Sequence, residues 1–179
     1  IEVCTGLINF INQDHLYYNV MSMYIRDSDS AERQALTILA MWAAFGNRQK
    51  LAKVLWKHSD QPIHLGLMIS LINKRLSAYV GETNIRDDLN KKSREFVDMA
   101  VGVLNECYKM CASRAFDVLS QQSADWNYKT AVELSANEAT KEFLAHPCCQ
   151  RWLTNTFLGE IRFRDSSCGL FALPLSFKI

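Results

Sequence analysis

Glycine and proline are scarce in this 179-residue sequence, at 7 and 3. An all-β chain needs turn residues about every ten positions, so that class is excluded. An excess of one charge is missing too: 20 Lys plus Arg stand against 19 Asp plus Glu, a net +1. The electrostatic footprint of a nucleic-acid binder is therefore absent, and no nucleic-acid partner is expected. No apolar run approaches the roughly 20 residues that cross a bilayer. The two strongest, Leu36 to Phe45 and Cys168 to Phe177, reach about half that length. Residues 1–15 show no charged-then-apolar leader with a small-residue cleavage site. The first residue is Ile rather than Met, so the chain reads as a piece of something longer.

What is present is an ordinary globular composition, 49% hydrophobic and 22% charged. That apolar content offsets the entropy of ordering the chain into one compact domain or two small packed units. A helical, soluble, intracellular domain is the expectation. The six cysteines, Cys4, Cys107, Cys111, Cys148, Cys149 and Cys168, have no framework spacing and read as reduced, buried thiols. Cys107 and Cys111 lie one helical turn apart without a histidine beside them, so they read as core. His146, Cys148 and Cys149 form the densest set of metal-ligand types. Adjacent cysteines splay apart on a helix and no fourth ligand accompanies them, so no metal site is expected.

Apolar periodicity is helical almost throughout. It predicts helices near 6–24, 31–45, 48–57, 62–79, 93–111, 114–122, 128–136 and 148–158, with a further short one near 142–145. Residues 36–45 are apolar nearly all round, so that helix is expected to be central, with Leu39, Met41 and Trp42 buried. Leu55, Met68, Ile72, Leu104 and Cys107 are expected in the same core. Ser59-Asp60-Gln61-Pro62 is a helix start, with proline in the first turn where its missing N–H costs nothing. Residues 82–94 are polar and charged, either a surface connection or the exposed start of the next helix. The pieces suggest an all-α fold of stacked helix-turn-helix pairs, solenoid-like in the manner of ankyrin or armadillo arrays. The expected organisation is a first unit at 1–81, a polar connection at 82–95, a second unit at 96–160 and a juncture at 161–179.

Residue chemistry offers no enzyme. There is no Gly-rich phosphate loop, nucleophile elbow or zinc-protease helix. His15, His58, His64 and His146 have no acid and nucleophile at a catalytic spacing, and read as capping or packing residues. Asp27-Ser28-Asp29 and Asp87-Asp88 lack the ligand alternation of a calcium loop and read as helix caps. Trp42, Trp56, Trp126 and Trp152 lie on or beside apolar helical faces and read as packing residues. Neither a catalytic set nor a cofactor is expected.

The segment from Trp42-Ala43 through Asn47-Arg48 and Ala52 to Trp56 is similar to a Trp-Ala…Asn-Arg…Ala…Trp run of melastatin-type transient receptor potential (TRPM) channels. The helix ending in Arg75-Leu76 and the string Ala100-Val101-Gly102…Cys107-Tyr108 follow in the family's order. Trp126…Thr130…Leu134 and Phe143-Leu144-Ala145-His146 resemble its next block, and Gln150 to Ile161 its run toward the first membrane helix. Departures are Ala131 for the usual Cys, Phe157 for the usual Trp, and Phe45-Gly46 for an aliphatic-Gln pair.

The resemblance implies a cytoplasmic scaffold of a tetrameric cation channel, coupling ligand or calcium sensing to a pore that lies outside these residues. Its implied partners are the other subunits of a homotetramer, the channel's membrane domain and a phosphoinositide lipid. On that order, Trp152, Phe157, Phe163, Leu170 and Phe171 are expected to mark contacts with the membrane domain or neighbouring subunits. Arg162 and Arg164 would face the anionic inner leaflet. The alternative is a free-standing α-solenoid whose concave face binds a protein. The apolar stretch from Leu170 to Phe177 favours the channel, because a free module ends in a polar capping repeat.

Overall fold

The computed structural model describes residues 28–122, 126, 128–136 and 140–158. Among them every regular element is a helix, so the all-α expectation holds. Helix α1 (Ser28–Phe45) closes on a turn in which Arg48 N–H donates to Ala43 O at 2.7 Å and Asn47 N–H to Ala44 O at 3.1 Å. Asn47 has φ 54° there, the left-handed conformation that asparagine tolerates better than most residues. Helix α2 (Gln49–Trp56) turns back along α1. Helix α3 (Pro62–Tyr79) begins at the expected proline, and Ser59 Oγ accepts from Gln61 N–H at 3.2 Å just before it.

Helix α4 (Thr83–Met110) has 28 residues and is about 42 Å long. Of the two forms open to 82–94, the exposed helix start is the one that forms, ten residues earlier than the apolar stripe predicts. Its exposed polar turns carry the i,i+4 ion pair of Lys92 with Asp88, the sort of local pairing that keeps a polar helix together. Cys111 interrupts the chain in an extended conformation, and α5 (Ala112–Ser120) sets off in a new direction. The expected 128–136 helix contracts to the single turn α6 (Ala131–Leu134). A capping box starts it: Thr130 Oγ1 accepts from Glu133 N–H at 3.2 Å, and Glu133 Oε2 from Thr130 N–H at 2.7 Å. Helices α7 (Lys141–Leu144) and α8 (Pro147–Leu158) complete the described chain. The helix expected at 6–24 lies outside the described residues.

The centre is α3, not α1. Helix α3 lies along α4, with α1 and α6 also against it, while α5, α7 and α8 gather on α4. Leu65, Ile69 and Ile72 of α3 meet Phe96, Val97, Ala100 and Leu104 of α4, all at most 1% exposed. Gly66 lets the two backbones approach, with Phe96 O only 3.3 Å from where a Cβ would stand. The polar residues of α3 are buried in pairs: Gln49 Nε2 donates to Asn73 Oδ1 at 2.7 Å, and the Ser70 and Ser93 hydroxyls lie 2.9 Å apart.

The core expectation holds for Met41, Met68, Ile72 and Leu104, while Leu55 and Cys107 are half-buried against the core. It fails for Leu39 and Trp42, which are 54% and 57% exposed. Helix α1 is peripheral and buries Ala31 near its start and Ala40, Met41, Ala43 and Ala44 near its end. Leu39 and Trp42 point away from the core, while Ile38 and Phe45 pack against its edge.

Candidate functional site

Two places in the described structure have more than packing to offer: the outer face of the α1–α2 hairpin and the N-terminal end of α3. On the hairpin, Leu39 and Trp42 sit three residues apart on α1, and Leu51 and Val54 three residues apart on α2. All four are exposed large hydrophobics. Residues at that spacing share a helix face, so each helix presents an apolar pair to its surroundings. Lys50, Lys57 and His58 are exposed beside the α2 pair. Such a surface, apolar with a polar margin, is the kind proteins use against one another.

At the other place, His64 opens the first turns of α3 and is 2% exposed. Its ring stacks on Trp126, with centroids 6.1 Å apart and planes 16° apart. Burial holds its pKa below the ordinary histidine value, opposed by a hydrogen bond to the Gln121 backbone. The ring is therefore neutral at pH 7. Around the turn, Trp126 Nε1 donates to Gln61 Oε1, and Trp56 Nε1 to Pro62 O at 2.7 Å.

Among the interface residues expected from the sequence, Trp152 is half-buried on α8, and its Nε1 donates to Ser120 Oγ of α5 at 2.7 Å. Phe157, one and a half turns on, is 82% exposed. Phe163, Leu170, Phe171, Arg162 and Arg164 lie outside the described residues. The outward pair on α1 escapes hydropathy, because residues 36–45 are apolar nearly all round. The small residues Ala40, Ala43 and Ala44 were the available signal, since an alanine stripe marks where another helix approaches closely.

Cysteine placement is mixed. Cys148 and Cys149 are fully buried, and burial pushes the Cys149 thiol up to about 12 and raises Cys148 as well. Cys111 instead stands at the start of α5, where the Ser113 hydroxyl 3.1 Å from its sulfur, with backbone N–H groups, lowers its pKa. It is not on the α4 stripe with Cys107, as the sequence spacing implied. His146 Nδ1 accepts from Cys148 N–H at 3.2 Å, and its ring meets Tyr108 edge-on at 6.2 Å. Among the described residues no group of three or more His, Cys, Asp or Glu is arranged to hold a metal ion, and no helix is long and apolar enough to cross a membrane.

The class these features define is a helical domain with buried polar pairs and exposed apolar pairs on its α1–α2 hairpin. Comparison with known proteins supplies the particular family. Residues 9–146 match the family model described as the TRPM2-like domain. A transient receptor potential cation channel, subfamily M member-like 2, from Nematostella vectensis is 34% identical over 125 residues, covering 68% of this chain and 8% of that protein. A transient receptor potential channel from Caenorhabditis elegans is 29% identical over 153 residues, covering 78% of this chain and 8% of that protein. Subfamily M member 1 from Mus musculus is 28% identical over 132 residues, covering 72% and 8%. The chain belongs to the TRPM channel family and is a segment of its melastatin homology region. It spans about 8% of the length of these relatives.

Proposed function

We propose that this chain is a cytoplasmic coupling scaffold within a TRPM-type cation channel, stacked as helix pairs and placed between a sensing module and the membrane domain. In this reading the units 1–81 and 96–160 are joined through the polar first half of α4. The observation that carries the reading is the outward apolar face of α1 and α2, with Leu39, Trp42, Leu51 and Val54 exposed on a helical domain from a family of channels. A segment whose work is to transmit force or assembly needs a stiff interior and a sticky exterior. The interdigitated α3–α4 core supports the first and the hairpin face the second. Trp152 and Phe157 extend the contact surface at α8, toward Phe163 and Phe171, where the chain turns to its membrane domain. Arg162 and Arg164 serve there as the cations facing phosphoinositide headgroups. The chain works as a homotetramer and catalyses nothing itself.

The experiment is a complete channel carrying Leu39→Ser and Trp42→Ser together. Both side chains are already exposed, so folding should survive, as read by surface expression and by thermal melting of the 179-residue chain. The expected result is folded subunits with impaired tetramer assembly on native gels or a right-shifted activation curve in patches. Wild-type assembly together with wild-type gating would overturn the reading. The lipid contact is tested separately by Arg162→Gln with Arg164→Gln in excised patches. Faster current loss on phosphoinositide depletion is expected, and unchanged sensitivity would remove those arginines from the scheme.

A further inference from the structure

The stretch from Arg33 to Ser59 holds five Lys and Arg residues, Arg33, Arg48, Lys50, Lys53 and Lys57, and no acid. Carboxylates from outside the stretch neutralise two of them: Arg33 reaches Asp60 at 3.2 Å, and Lys53 reaches Glu95 of α4 at 2.6 Å. Arg48, Lys50 and Lys57 are exposed, and their side chains make no ion pair or hydrogen bond among the described residues. Local structure gives no reason for these three. Helix α2 has no acid in its first turn, so Arg48 and Lys50 stand at its partly positive N-terminal end, where a cation is unfavourable.

Lys50, Leu51, Val54 and Lys57 recur at i, i+1, i+4 and i+7, which makes one exposed stripe along α2, with Gln49 and Ala52 buried behind it. Lys57 keeps helical φ and ψ of −64° and −21°, so it continues the stripe past Trp56. The two lysines therefore lie two turns apart, about 10.5 Å along the axis. Val54 stands between them and Leu51 beside it, each with about half of its surface uncovered. We propose that this stripe docks an acidic amphipathic helix of a protein partner, with carboxylates two turns apart and aliphatic side chains between them. The carboxylates match Lys50 and Lys57 in charge and spacing, and the aliphatic groups cover Leu51 and Val54. This names the partner of the α1–α2 contact face and rests on that reading. An anionic membrane suits the stripe less well. Glu95 lies at its lysine edge, and Asp88 is joined through Lys92 to Asn47 at the turn before α2. A broad anionic surface would meet both carboxylates, whereas a helix about 10 Å across can lie over α2 alone.

The probe is an alanine-rich helical peptide with two glutamates two turns apart and two leucines between them on the same face. One control peptide replaces both glutamates by glutamine, and another replaces both leucines by alanine. Each is titrated into the ¹⁵N-labelled 179-residue chain and read from the amide shifts of α2. The glutamate peptide is expected to bind saturably, and about fivefold more tightly than the glutamine peptide, the value of two exposed ion pairs. That margin should shrink as salt is raised. The alanine control should also bind more weakly than the probe, by about threefold or more, because Leu51 and Val54 then stay uncovered. In the chain carrying Lys50→Gln and Lys57→Gln, the preference for glutamate should fall below about twofold. Both side chains are exposed and unpaired, so the fold should be unaffected. Sedimentation with phosphatidylserine vesicles should be the same for this variant as for the unaltered chain. The inference is overturned by the absence of a saturable shift in α2, or by equal affinity for the probe and either control. A glutamate preference that survives the double variant overturns it too, and a loss of vesicle binding in that variant would make lipid the occupant instead. The coupling reading fails separately, on Leu39 and Trp42 in the complete channel.

Discussion

Replacing Gly66 by alanine tests the central packing of this domain with a single methyl group. The new Cβ would stand 3.2 Å from Trp56 Nε1, 3.3 Å from Ala100 Cβ and 3.3 Å from Phe96 O. None of these can retreat freely. The Trp56 indole is held by its hydrogen bond to Pro62 O, and Ala100 and Phe96 belong to α4 at full burial. Two terms oppose each other. Alanine is favoured over glycine in a helix interior by about 0.8–1.0 kcal/mol, while forcing an extra carbon into a packed contact costs roughly 1–3 kcal/mol. Gly102, also within α4, separates them, because a Cβ there would meet nothing within 4 Å. Gly102→Ala should therefore stabilise the fold by about the propensity value alone. The difference between the two variants cancels propensity and leaves the steric cost of the α3–α4 contact, about 1–3 kcal/mol. Urea unfolding of both, compared at equal m, measures it as a separation in midpoint. Gly66→Ala stabilising the chain as much as Gly102→Ala does would mean that α3 and α4 are not in contact at this point.

Trp126→Ala should cost about 3–5 kcal/mol, since the ring is 1% exposed. Trp42→Ala should cost well under that, because more than half of its surface already meets solvent; equal losses in denaturant would contradict the placement of α1. Thr130→Ala should destabilise by about 1 kcal/mol and Thr130→Ser by little, since only the first loses the oxygen that caps α6. Burial lowers the pKa of both His64 and His146 in the folded chain, so the unfolded chain binds more protons below about pH 6.5. Stability is full above that value and falls as the pH drops toward the folded pKa values. His64→Phe should flatten the decline in a pH series of melts, and an unchanged slope would show that His64 is solvated.

Local pattern located the helices but did not rank them. The stripe at Leu65, Met68, Ile69 and Ile72 is visible in sequence, and so is the proline that starts α3. Yet α3 also carries His64, Ser70, Asn73 and Ser77, which make it look like an ordinary amphipathic surface helix. Its burial depends on partners at a distance: Gln49 is 24 residues from Asn73, Ser93 is 23 from Ser70, and Asn90 is 13 from Ser77. No local window contains these pairs, so the polarity of α3 reads as exposure when it is satisfied burial. The opposite error applies to 36–45, where unbroken apolarity reads as burial. Size resolves it. Ala40, Ala43 and Ala44 admit the close approach of neighbouring helices, while Leu39 and Trp42 are too bulky for that face and turn outward. A core helix surrounded on all sides would carry its large side chains all round, as α3 does with Leu65, Leu67, Ile69 and Ile72. The order of sizes around a helix therefore distinguishes a central position from an edge where hydropathy alone does not. Large apolar residues turned outward on an edge helix form the kind of exposed patch that proteins use for contact.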